Sequence, residues 1–140
     1  MSRRVVLDTN VIVTALRSRR GASAALLDRV GTGAFDFCLS VALLLEYESA
    51  LLRPESGIRL PVPVLEDILD YLAAVGLHQE IHFLWRPTLP DPADDHVLEL
   101  AVAGGCDAIV TYNTKHFRGA DRFGLRLMTP LDLLSELRSP

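Results

Sequence analysis

The stretch VVLDTNVIV, residues 5–13, decides how the rest of the chain is read. Apolar residues run up to Leu7 and resume at Val11, with Asp8, Thr9 and Asn10 between them. The continuous β-branched segment VVLD reads as a short buried strand, and NVIVTALRS after it as a first helix. A carboxylate at such a join is costly to bury alone, so it calls for a cation or for hydrogen-bond donors. The same Asp8 could also serve as a helix N-cap, its charge at the positive end of the helix.

Outward from this join, strands and helices alternate. Arg17, Arg19, Arg20 and Gly21 mark a polar turn, and ASAALLDRVGTG reads as a helix closed by Gly31 or Gly33. FDFCLS is a second strand. SVALLLEYESALLRP is a strong helix, with Ser40 as N-cap and Pro54 just past its end. GIRLPVP reads as a loop, and VLEDILDYLAAVG as an amphipathic helix ending at Gly76. IHFLW, residues 81–85, reads as a third strand, and PTLPDPADD as a loop. DDHVLELAVAGG is a helix that Asp94 or Asp95 could cap. CDAIVT is a fourth strand, YNTKHFRGADRFG a loop, LRLMT a fifth strand and PLDLLSELR a last helix opened by Pro130. Short, wholly apolar strands between helices are the pattern of a parallel sheet covered on both faces. The expected fold is a three-layer α/β/α sandwich around a central, mainly parallel five-stranded sheet, with residues 1–140 forming one domain.

Composition narrows the class. Of 140 residues, 49% are hydrophobic, and mean hydropathy is +0.25, which excludes a disordered chain. No apolar run reaches the length of about 18 residues that a membrane span needs. The basic start MSRR is followed by an apolar stretch broken at Asp8 and Asn10, which does not read as a signal peptide. Cys38 and Cys106 sit in apolar contexts and read as reduced core thiols of a cytoplasmic protein. Neither they nor His78, His82, His96 and His116 fall at zinc-ligand spacing. Net charge is −4, so a nucleic acid would have to meet a local basic patch or a metal held by carboxylates.

Ligands of open parallel sheets bind outside the carboxyl ends of the strands. Asp8 ends the first strand. Ser40 ends the second, and Glu46 lies on the helix after it, at helical spacing with Ala42, Leu43 and Ala50. Asp91, Asp94 and Asp95 follow the third, while Thr111 and Asn113 end the fourth. Taken singly, Asp94 and Asp95 could be helix caps, Asn113 a turn residue and Glu48 a solvated acid. Their convergence on one edge is the informative feature. Three carboxylates and an amide repel one another unless a divalent ion sits among them, and all-oxygen donors favour Mg²⁺ or Mn²⁺.

These pieces, VVLDTNVIVTAL, GASAALL, LSVALLLEYESALLRPE and DPADDHVLELAVAGGCDAIVTYNTKHF, taken in order, resemble the PIN domain. More closely, they are similar to the branch grouped as toxins of type II toxin–antitoxin pairs, the VapC-like ribonucleases. The resemblance implies that Asp8 is the first metal-binding acid, with Asn10 and Thr9 supporting it. Glu46 would be the second, at its spacing from Ser40, and Asp95 the third, heading D-x-x-L-E-L-A. Physics alone does not separate Asp94 from Asp95; spacing to Leu98 and Ala101 favours Asp95. The fourth position is Asn113, where many relatives carry Asp, and Asp94 or Asp91 would partly compensate for the lost charge. The implied activity is Mg²⁺- or Mn²⁺-dependent endoribonucleolytic hydrolysis. The implied partners are an RNA substrate, a cognate antitoxin protein and a second copy in a homodimer.

Two other readings fail on the residues, and a third stays open. A haloacid-dehalogenase-like phosphatase needs a second Asp two positions after the first, where this chain has Asn10. A receiver-like module has no role for Glu46. A degenerate PIN-like module, binding metal, RNA or protein without cleaving, remains an alternative because of Asn113. For phosphates, the candidate donors are Arg17, Arg19 and Arg20 after the first helix, and Lys115, His116, Arg118 and Arg122 after the fourth strand. Each group is equally compatible with a solvated face. On the helix VLEDILDYLAAVG, Ile68, Leu69, Leu72 and Ala73 read as core or as interface.

Overall fold

The computed structural model describes residues 3–81, 89 and 91–138. Among them the chain forms a five-stranded sheet in the order β3-β2-β1-β4-β5. The strands are β1 (Arg4–Leu7), β2 (Asp36–Leu39), β3 (Leu77–His78), β4 (Ala108–Val110) and β5 (Arg126–Met128). Every neighbouring pair is parallel. Val5 stands in register with Phe37 on one side and Ala108 on the other. Six helices flank the sheet: α1 (Thr9–Arg17), α2 (Ala22–Leu27), α3 (Val41–Leu52), α4 (Val62–Val75), α5 (Asp95–Ala103) and α6 (Pro130–Arg138).

Apolar continuity explains the arrangement. Val5, Val6, Leu7, Phe37, Cys38, Leu39, Ala108, Ile109 and Val110 are all buried, as strands covered on both faces must be. The chain steps from β1 to β2 to β3 in one direction, then returns to place β4 on the other side of β1. Because parallel crossovers are right-handed, that reversal moves the connections to the opposite face of the sheet. The reversal lies between β1 and β4, and it makes their carboxyl ends the topological switch point where such folds bind ligands.

Sequence and structure differ most at the third strand. Among the described residues the sheet takes β3 from Leu77–His78, a segment to which the sequence pattern assigns no element. Of the stretch IHFLW, Ile81 is described and lies outside any strand, and residues 82–85 lie outside the described residues. β3 pairs with β2 directly after Gly76, whose lack of a side chain permits a close approach: a Cβ there would stand 2.6 Å from Leu39 Cδ1. The second helix is also shorter than its sequence pattern, since the chain passes into turns after Leu27 and reaches positive φ at Gly31 and Gly33. α4 begins earlier than expected, at Val62, with a proline tolerated in its first turn.

Tyr47 couples the layers. It is fully buried on α3, and its hydroxyl donates to the carbonyl of Leu7, the last residue of β1. Tyr47→Phe keeps the ring and removes the donor. The expected result is a loss of about 1–3 kcal/mol, read as a lower urea midpoint at unchanged slope.

Candidate functional site

The site is assembled at the switch point. Asp8 leaves β1 as the N-cap of α1, where its Oδ1 accepts from Thr9 N at 2.9 Å. Its Oδ2 accepts from Thr111 Oγ1, at the end of β4, at 2.7 Å. Asp8 N donates to Val110 O, so backbone and side chain both tie the two strand ends together. Thr111 Oγ1 in turn accepts from Asn113 N at 3.0 Å and from Asn10 Nδ2 at 3.4 Å. Asn10 Oδ1 receives Tyr112 N. DTN thus meets TYN, and the opening triplet serves both to cap a helix and to brace the turn after β4.

These residues open onto a cleft of about 340 Å³ lined by Asp8, Thr9, Asn10, Val13, Thr14, Arg17, Asp94, Asn113 and His116. A family model described as PIN domain matches residues 4–115. The chain belongs to the PIN-domain family. PIN domains are nucleases that generally use divalent metals. No curated protein matches the chain.

The expected acids of this PIN domain take different positions. Asp94 lines the cleft with Asp8. Asp95 is buried in the first turn of α5, and its Oδ1 accepts from Leu89 N at 2.9 Å. Glu46 accepts from Thr9 Oγ1 on one oxygen and from His96 Nε2, at 3.1 Å, on the other. Ser40 caps α3, accepting from Leu43 N at 3.1 Å, and so starts the helix that carries Glu46. Asp91 shapes the turn before α5 by accepting from Ala93 N. Of the candidate phosphate donors, Arg17 and His116 line the cleft, while Arg19, Arg20, Lys115 and Arg118 are exposed outside its walls. Sequence reading assigned His96 no role. Its signal was its place one residue after Asp95, in the helix turn that meets Glu46.

The electrostatics follow from burial and crowding. Burial pushes the Asp8 carboxyl above its ordinary value, with Glu46 adding to the rise, and the bonds from Thr111 and Thr9 offset only part of it. Asp94 is also raised, first by burial and then by Asp8 and Asp91. Glu46 is lowered, chiefly by its bond from His96, and His96 is raised by the same bond.

A hard divalent cation fits this donor set. Among the described residues, the buried Asp94 Oδ2 has no hydrogen-bond partner; its ion-pair contact is His116 Nδ1 at 3.5 Å. Asp8 and Asn113 offer further oxygens on the same cleft. Among the described residues no three His, Cys, Asp or Glu side chains already stand together as a closed metal cluster.

Asp8 therefore carries a stability cost. Its pKa is raised on folding, so its contribution is favourable below its unfolded value and is lost as pH rises through the folded value. At neutral pH the ionised side chain disfavours the fold. In metal-free buffer, the Tm of the native chain is expected to fall relative to that of Asp8→Asn as pH rises through the folded value of Asp8, read from melts across a pH series. Saturating Mn²⁺ should raise Tm for the native chain and leave the variant unmoved. The two neighbouring acids divide similarly. Asp94→Asn should leave Tm level or higher, whereas Asp95→Ala, which strips the acceptor from Leu89 N, should lower it by about 1–3 kcal/mol of stability in urea titrations.

Proposed function

We propose that this PIN domain is a metal-dependent ribonuclease that hydrolyses RNA phosphodiester bonds as the toxin component of a toxin–antitoxin pair. The observation that carries the reading is two carboxylates, Asp8 and Asp94, facing one cleft at the β1/β4 switch point. Asp8, Glu46 and Asp94 would hold Mg²⁺ or Mn²⁺, with Asn113 as a neutral oxygen donor. Asp95, the third acid by resemblance, would join them if its carboxylate left Leu89 N. When bound, the ion supplies Lewis acidity, drawing charge from the scissile phosphate and making water easier to deprotonate. Arg17 and His116, on the cleft wall, are suited to receive the flanking phosphates. Arg17 is held for this by its Nε bond to Ser56 O at 2.9 Å.

The toxin role is supported by the ordered resemblance of the four blocks to the toxin branch. A cognate antitoxin would have an acidic, metal-seeking cleft to cover. A homodimer is supported by Val41 and Leu45, exposed one turn apart on α3. A cytoplasmic setting is supported by the two buried free thiols. Among the described residues, no helix is long and apolar enough to cross a membrane. The second reading, a module that binds without cleaving, draws on Asn113, whose amide lowers the charge available to a cation.

Purified chain, free of antitoxin, would be incubated with a pool of structured RNAs. Cleavage is expected with Mg²⁺ or Mn²⁺, and none with EDTA or with Asp8→Asn. Cleavage that survives EDTA would overturn the reading. Silence in every arm, restored by Asn113→Asp, would establish the non-cleaving module.

A further inference from the structure

We propose that His96 is a positioning residue that, together with Thr9, clamps the Glu46 carboxylate in its working orientation. The inference rests on the nuclease reading above. Glu46 stands on α3 with its side chain 42% exposed, and a long acid so placed would ordinarily sample many rotamers. Here each of its oxygens is taken by a different element. Thr9 Oγ1 reaches one from the first turn of α1, and His96 Nε2 reaches the other from the first turn of α5. Three helices therefore meet at one carboxylate.

The histidine is arranged for this contact. A carboxylate only accepts, so the ring must donate from Nε2. Its Nδ1 is buried and has no hydrogen-bond partner among the described residues. A ring that leaves one nitrogen unsatisfied to place the other on Glu46 is poorly explained by packing alone. Its place on α5 adds to the case. Asp94 and His96 flank Asp95, so the turn that brings Asp94 to the cleft also brings the donor for Glu46. Partners of this kind, one bond removed from a metal ligand, fix the ligand's orientation.

The test uses the full chain with His96→Ala and His96→Gln, beside Asp8→Asn. A Gln amide can donate from nearly the position of Nε2, and Ala cannot. Two quantities would be read: kcat and KM for RNA cleavage, and Mn²⁺ affinity by paramagnetic resonance titration without RNA. His96→Ala is expected to lose about 10–100-fold in Mn²⁺ affinity and, at saturating Mn²⁺, in kcat, with KM for RNA at saturating Mn²⁺ unchanged. His96→Gln should recover most of both. If His96→Ala melts below assay temperature, His96→Asn, too short to reach Glu46, takes its place. Unchanged kcat and Mn²⁺ affinity in the Ala variant would overturn the inference while leaving the nuclease reading intact. So would a Gln variant as impaired as Ala at an unchanged Tm, since ring shape would then be the cause. A native chain that binds Mn²⁺ without cleaving, and binds it more weakly as His96→Ala, would support the clamp while rejecting the nuclease. A native chain that neither cleaves nor binds Mn²⁺ would overturn both.

Discussion

A single carboxylate placed at the end of the central strand governs this molecule. Asp8 is 8% exposed and lies between two strand ends that belong to opposite halves of the sheet. Its bonds to Thr9 N and Thr111 Oγ1 compensate its desolvation only in part, because its pKa remains raised. The surrounding turns are built around this residue. Thr111 is held by Asn10 and itself receives Asn113 N, so the β4 exit follows the geometry of the β1 exit. Removing the carboxylate would remove a buried charge from the end of a strand whose Val5, Val6 and Leu7 are apolar and buried.

The sheet was legible because its strands obey the simplest rule. Strands buried on both faces must be continuously apolar, and Val5–Leu7, Phe37–Leu39 and Ala108–Val110 are. β3 was not legible, for the opposite reason. Leu77 and His78 are both exposed on an edge, and two residues carry no periodicity. What defines β3 is its parallel pairing with Cys38 and Leu39 of β2, a tertiary fact that no local pattern records.

The site was legible by element and less so by side chain. Strand ends place Asp8, Thr111 and Asn113, and strand ends can be read from sequence. Asp94 and Asp95 differ by one position at a helix start, which rotates the side chain by about 100°. The 3₁₀ turn Pro92–Asp94 sets that rotation, putting Asp94 on the cleft and Asp95 beneath Leu89. Spacing to Leu98 and Ala101 described the buried face of α5 correctly. A residue on that face is more readily buried than presented to a cleft. The basic residues divide in the same way: Arg17 belongs to the last turn of α1 and stays beside the cleft, while Arg19 and Arg20 lie in the turn beyond it.

The two histidines near the acids make the remaining point about charge. His116 faces Asp94 and His96 faces Glu46, so two of the acids at this edge have an imidazole partner and Asp8 has neutral donors. In a chain of net charge −4, such pairing lets carboxylates gather without a strong basic shell. The pairing is also asymmetric. The Glu46 bond is part-buried and draws the glutamate down in pKa, whereas His116 is exposed and leaves Asp94 raised. The uncompensated cost, burial first and crowding second, therefore falls on Asp8 and Asp94, the pair that shares the cleft. A cation gains most where uncompensated carboxylates are densest. In the proposed nuclease a polyanion would gain least there until that cation had arrived, which would couple metal uptake to phosphate binding through the same two side chains.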